Sequence, residues 1–167
     1  WLTMGPKTVE FENKFKEYIG SNNAVSMNSA TAALHLALRA VGVQRGDEVI
    51  MPTNTFVATA EVVTYFDAIP VLCDIEEDTH NMDVTKVKNL ITDKTKVIIP
   101  VHFAGQPCDM DEIYSLAEKY GLHVIEDAAH AIPSSYKGVK IGNLSGTDVT
   151  CFSFYATKTL STGEGGM

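Results

Sequence analysis

Apolar residues at Val9, Phe11, Phe15, Tyr18 and Ile19 recur at helical spacing behind Pro6, and Gly20 stops the run, which predicts an opening helix. The segment "AVSMNSATAALHLALRAVG" then predicts a short strand over Ala24 to Met27, a polar turn at Asn28-Ser29, and a helix. The face of that helix carries Leu34, Leu38 and Val41 before Gly42 ends it. Downstream the two periods alternate. "DEVIMP", "IPVLCDI", "TKVIIPV", "HVIED" and "VTCFSF" predict strands, and "TFVATAEVVTYFDA", "DVTKVKNLI" and "DMDEIYSLAEKYG" predict the helices between them. Short apolar strands separated by helices imply βαβ crossovers, hence an α/β fold with a mostly parallel sheet flanked by helices on both faces. Such sheets bind ligands at the carboxyl ends of their strands, which is where chemistry is to be sought.

The chain has 167 residues, enough for one domain with a core, and no internal repeat or linker divides it. Its net charge of −8 opposes non-specific binding to phosphate backbones and anionic membranes, so any phosphate must be gripped locally. The longest apolar runs, such as "VIIPV", fall far short of the roughly 20 residues of a membrane span, and "WLTMGPK" has no signal-peptide core. A soluble, cytoplasmic protein is the expectation. Cys73, Cys108 and Cys151 are odd in number and widely spaced, which suggests buried free thiols and neither a disulfide framework nor a metal site. The start inside a turn and the stop at "GEGGM" suggest part of a longer protein.

Three polar clusters fall at predicted strand ends. In the first, Ser29, Ala30 and Thr31 open a helix, where backbone N–H groups, the helix dipole and two hydroxyls make an anion site. Simple N-capping by Asn28 or Ser29 explains the same residues. In the second, Asp127 closes the strand of "VIEDAAHA" and reads as a helix cap or a functional carboxylate among small alanines. His130, three residues on, reads alone as a structural histidine. In the third, Lys158 follows "VTCFSF" on a loop rich in Ser, Thr and Gly. A desolvated lysine there has the lowered pKa that an amine nucleophile needs, although a surface lysine is the commoner fate. Taken together, an amine for an aldehyde, a carboxylate for a pyridinium nitrogen and donors for a phosphate are the three requirements of pyridoxal 5'-phosphate (PLP).

The motifs "WLTMGPK", "NSATAALHLAL", "PTNTFVATA", "IIPVHFAG", "VIEDAAHA", "SYKGVKIG" and "FSFYATKTLSTGEGG" stand in the order seen in the DegT/DnrJ/StrS sugar aminotransferases. The chain resembles that family over its whole length, and looks most like the branch that makes UDP-4-amino-4-deoxy-L-arabinose. The resemblance implies the large domain of the fold type I PLP-dependent transferases, of which residues 1–167 are the N-terminal part. It implies a smaller C-terminal domain beyond this chain, and a homodimer in which the partner completes each site.

By the same resemblance Lys158 carries the cofactor as a Schiff base and later moves the proton, while Asp127 keeps the pyridine nitrogen protonated. His130 lies near the phenolic oxygen of the ring, and Phe56 stacks on the ring, a plain core phenylalanine being the alternative. The Ala30 N–H, the Thr31 hydroxyl and Ser153 grip the phosphate. Ser153 also has a local reason, since Phe152 and Phe154 point to the opposite face of its strand. Small residues after Lys158 are expected to let the backbone pass close to the cofactor. Glu164 orients that loop or is simply solvated, His35 packs within its helix, and His102 sits at a strand end near the pocket.

The implied reaction is transamination of a keto nucleotide-sugar, 4-keto before 3-keto and UDP- or dTDP-linked, in amino-sugar and cell-surface polysaccharide synthesis. Glutamate is the amino donor and 2-oxoglutarate the product. Two alternatives within the family are sugar dehydration, which uses histidine at the Lys158 position, and a cofactor-bound sensor without turnover. Sulfur-mobilising lyases of the same fold would need a cysteine on a mobile loop. "GNLSG" is not the G-x-S-x-G of a hydrolase, and no P-loop or complete GxGxxG occurs.

Overall fold

The computed structural model describes residues 4–167, so Trp1 to Thr3 of the first motif lie outside the described residues. Helix α1 (Pro6–Ile19) has Pro6 at its start and ends at Gly20, whose φ of 90° lets its N–H reach back to Lys16 O. Phe15 and Ile19 are buried, whereas Val9 and Tyr18 of the predicted face stay exposed. Helix α2 (Ala30–Ala40) buries Leu34 and Leu38. Full burial of a leucine contributes about 1.5–3 kcal/mol.

The strands β1 (Glu48–Pro52), β2 (Ile69–Cys73), β3 (Thr95–Ile98), β4 (His123–Asp127) and β7 (Val149–Cys151) form one sheet in the order β2-β1-β3-β4-β7. Every pairing in it is parallel. Helices α2 and α3 (Val57–Thr64) pack on one face with Val49, Met51, Val97 and Ile125, and α5 (Met110–Tyr120) covers the other with Ile50, Ile98 and Val124. The strand order reverses between β1 and β3, which opens a crevice at their carboxyl ends.

Four expectations are corrected. Ala24 to Met27 is not a strand: Met27 makes only a single bridge, to Gly166. "VTCFSF" ends as a strand at Cys151, because its partner β4 ends at Asp127. Beyond it the chain pairs instead with Gly163–Met167 through the bridges Ser153 to Gly166 and Tyr155 to Gly163. "TKVIIPV" stops at Ile98, since Pro100 has no N–H to continue a ladder. Helix α4 covers only Val84–Val87, after which Asn89 and Leu90 close tight turns onto Lys86 and Val87.

A hairpin absent from the sequence reading joins β5 (Ser135–Tyr136) to β6 (Val139–Lys140). Its signal is the two-residue loop Lys137-Gly138, whose φ values of 48° and 84° suit a type I′ turn. Under the final segment, Phe11, Phe15, Phe152 and Phe154 form edge-on pairs with centroids 5.2–5.5 Å apart. That cluster fixes the stretch carrying Ser153 between β7 and the Lys158 loop.

Candidate active site

The carboxyl ends of β1, β3 and β4, the segment after β7 and the start of α2 enclose a cleft of about 580 Å³. Asp127, His130 and Lys158 line it, as do Ser29, Ala30, Thr31, Phe56 and Ser153, so every sequence-predicted site residue faces one space.

Asp127 is buried at the end of β4, on the α2 and α3 side of the sheet. Its Oδ2 accepts from Thr59 Oγ1 at 2.8 Å and its Oδ1 from the Ala129 N–H at 3.2 Å. Thr59 is fully buried and lies 2.7 Å from Thr55 Oγ1. Nothing along the chain singles out Thr59, since its partner is 68 residues away and its only local signal is a polar residue inside an Ala- and Val-rich helix.

Lys158 is half-buried on its loop, its N–H bonded to Tyr155 O at 2.9 Å. Among the described residues its ammonium makes no ion pair. The positive charge is nonetheless felt by His130. Partial burial, then Lys158, hold the imidazole pKa below its ordinary value, against the opposing pull of Asp127. His130 is therefore neutral at pH 7.

Ser29 caps α2, its Oγ accepting from the Ala32 N–H at 3.1 Å, so the capping reading holds for this side chain. Among the described residues the N–H groups of Ala30 and Thr31 have no protein acceptor and remain available, with the helix dipole behind them. Ser153 stands opposite, its backbone in the segment between β7 and the loop. Phe56 is 74% exposed, which rules out the core reading of that residue. It precedes α3 in an extended conformation, with its ring on the cleft.

Gly165 lines the cleft with Lys158, and Gly166 packs on the start of α2. A Cβ on Gly166 would lie 2.4–2.6 Å from the backbone of Ser29 and Ala30, so the close approach is to the start of α2. Gly166 exchanges both backbone hydrogen bonds with Met27, at 2.9 and 3.0 Å, and so ties the lysine loop to the turn before α2. Glu164 is exposed at the cleft.

His35 packs edge-on against Tyr65 and Phe66 at 5.2 and 5.3 Å, as expected for a packing residue. His102 is buried in the cleft wall. Its Nδ1 accepts from the Cys108 N–H at 3.1 Å, so Nε2 carries the proton and donates to Glu126 at 2.7 Å. All three cysteines are buried and unpaired, with thiol pKa values pushed up by desolvation, Cys73 to about 11 and Cys108 to about 12. None has the exposure or activation of a catalytic thiol. No helix of the described residues is long and apolar enough to cross a membrane.

Comparison with known proteins supports what this geometry suggests. The chain is 51% identical to the spore coat polysaccharide biosynthesis protein SpsC of Bacillus subtilis, spanning 100% of this chain and 42% of that protein. It is 49% identical to the GDP-perosamine synthase of Caulobacter vibrioides (100% and 45%). It is 46% identical to the UDP-4-amino-4-deoxy-L-arabinose--oxoglutarate aminotransferase of Shewanella sediminis (100% and 42%). The chain thus spans less than half the length of the curated relatives it matches. Among solved structures, Spr1654 of Streptococcus pneumoniae in its PLP form superposes with a TM-score of 0.94 at 43% identity, over 99% of this chain and 46% of that one. The family model matches residues 1–167, and the chain belongs to the PLP-dependent DegT/DnrJ/EryC1/StrS aminotransferase family.

Proposed function

We propose that the protein transfers an amino group from glutamate to the keto carbon of a nucleotide-linked sugar, with PLP held in this cleft. The observation that carries the reading is that Lys158 and Asp127 face one space with the unpartnered N–H groups of Ala30 and Thr31. The residues fit the cofactor on three points. A helix start with free donors suits a phosphate, an exposed phenylalanine ring suits a flat heterocycle, and a buried carboxylate that only accepts suits a protonated ring nitrogen.

When bound, PLP supplies an electron sink for bond changes at the amino-bearing carbon. Ala30, Thr31 and Ser153 hold the phosphate, and Ser29 acts by keeping the first turn of α2 in place. Phe56 covers the ring and His130, neutral and near Lys158, meets its phenolic oxygen. Asp127 holds the ring nitrogen protonated, a role that requires the ionised carboxylate. Lys158 Nζ would anchor the cofactor and, once free, would take up and return the proton moved in the exchange, a general acid–base role worth about 10²–10⁴ in rate.

Transamination is favoured over dehydration because Lys158 stands where the dehydratase branch has histidine, and over a sensor role because neither Lys158 nor Asp127 is lost. The names of the Caulobacter and Shewanella relatives support an amino sugar on a nucleotide, and the latter supports glutamate and 2-oxoglutarate as the donor pair. Residues 1–167 are on this reading the N-terminal part of the cofactor-binding domain of a cytoplasmic homodimer. The test is to supply the protein with [15N]glutamate and either a 4-keto or a 3-keto sugar linked to UDP or dTDP, and to follow label into the sugar by mass spectrometry. Amination of the 4-keto sugar is expected. Reaction of the 3-keto sugar alone would reverse that order, and reaction of neither, with cofactor bound, would remove the aminotransferase reading.

A further inference from the structure

Thr59 has no part in the roles assigned above, yet it makes the shortest contact to Asp127, at 2.8 Å. We infer that Thr59 is a positioning residue: backed by Thr55, it holds the Asp127 carboxylate in place and aimed at the ring nitrogen of the cofactor. The inference rests on the reading of the cleft as a PLP site.

A threonine hydroxyl has one proton to give. Thr59 spends its proton on Asp127 Oδ2, so the 2.7 Å contact to Thr55 has Thr55 as donor and Thr59 as acceptor. The Ala129 N–H gives a second, irreversible donor to Oδ1. Each carboxylate oxygen thus receives one donor from the protein and keeps room for another. The two donors come from different elements, Thr59 from α3 and Ala129 from the turn after β4, and so fix the plane of the carboxylate. Full burial of Thr59 shields this contact from water, where hydrogen bonds to a charge are strongest. The hydroxyl could instead merely satisfy itself in the core, in which case its loss would disturb stability but not the cofactor's nitrogen.

The two are separable with PLP labelled with 15N in its ring, whose chemical shift reports whether the nitrogen carries a proton. In the parent protein the nitrogen is expected to stay protonated through neutral pH. Thr59→Val should let that proton leave at lower pH and weaken PLP binding about tenfold to a hundredfold, the range for a lost hydrogen bond to a charged group. Thr59→Ser should restore both. If Thr59→Val does not fold, Thr55→Val carries the test, since removing the donor behind Thr59 should move the same titration in the same direction by less. An unmoved 15N titration and unchanged affinity in a folded Thr59→Val or Thr55→Val variant would overturn the inference and leave the PLP reading standing. Absence of PLP binding by the parent would overturn both.

Discussion

Gly166→Ala is the substitution through which the backbone of the candidate site can be tested with least ambiguity. Gly166 has no unusual φ, so alanine is not excluded by conformation. What excludes it is space: the new Cβ would sit 2.4 Å from Ser29 C, 2.5 Å from Ser29 O and 2.6 Å from Ala30 N. These are backbone atoms and cannot swing aside as a flexible side chain would. Either the start of α2 or the Gly165–Met167 segment must move, which breaks the pair of hydrogen bonds between Gly166 and Met27. Overpacking costs about 1–3 kcal/mol and two hydrogen bonds about 1 kcal/mol each, so the expected destabilisation is roughly 3–5 kcal/mol. The same movement displaces the Ala30 and Thr31 N–H groups, so PLP affinity should fall as well. Gly163→Ala is the control: its φ of 87° disfavours alanine by about 1–2 kcal/mol, but nothing lies within 4 Å. Urea denaturation of both variants, with PLP binding followed by fluorescence, reads the two effects. Gly166→Ala within about 0.5 kcal/mol of the parent, with full affinity, would refute the packing of the lysine loop on α2.

Two further outcomes follow from the electrostatics. Because the Lys158 charge helps hold His130 below its ordinary value of 6.5, Lys158→Ala should raise the His130 pKa and Asp127→Asn should lower it further, both measured by NMR titration without cofactor. The sign carries to stability: the unfolded chain takes up the proton first as pH falls, so His130's contribution is present above pH 6.5, lost through the depressed folded value, and less acid-sensitive in Lys158→Ala. The thiols of Cys73, Cys108 and Cys151 should resist a disulfide reagent at pH 8 in the native protein and react fully in denaturant, whereas fast native reaction would contradict their burial.

The parts of the fold that local chemistry encodes could be read without coordinates. Pro6 and Gly20 bracket α1, and Gly121 closes α5 in a left-handed conformation. The near-continuous apolar run of β1 betrays a strand buried on both faces. What could not be read depends on partners far along the chain. Met27 meets Gly166, Thr59 meets Asp127 and His102 meets Glu126, and no period or cap announces such pairs. The same limit hides the packing of Gly166, whose close neighbour, the backbone of Ser29 and Ala30, lies over a hundred residues earlier. The candidate site was legible because its residues fall at strand ends and helix starts, positions that a parallel sheet gathers into one crevice.

The central claim is that Lys158 is the amine that holds PLP, and reduction of the protein with borohydride after incubation with PLP, followed by peptide mass mapping, tests it most directly. A single stoichiometric adduct on Lys158, lost in Asp127→Asn only to the extent that binding weakens, is the predicted result. Labelling of the folded protein at other lysines, or none at all, would contradict it.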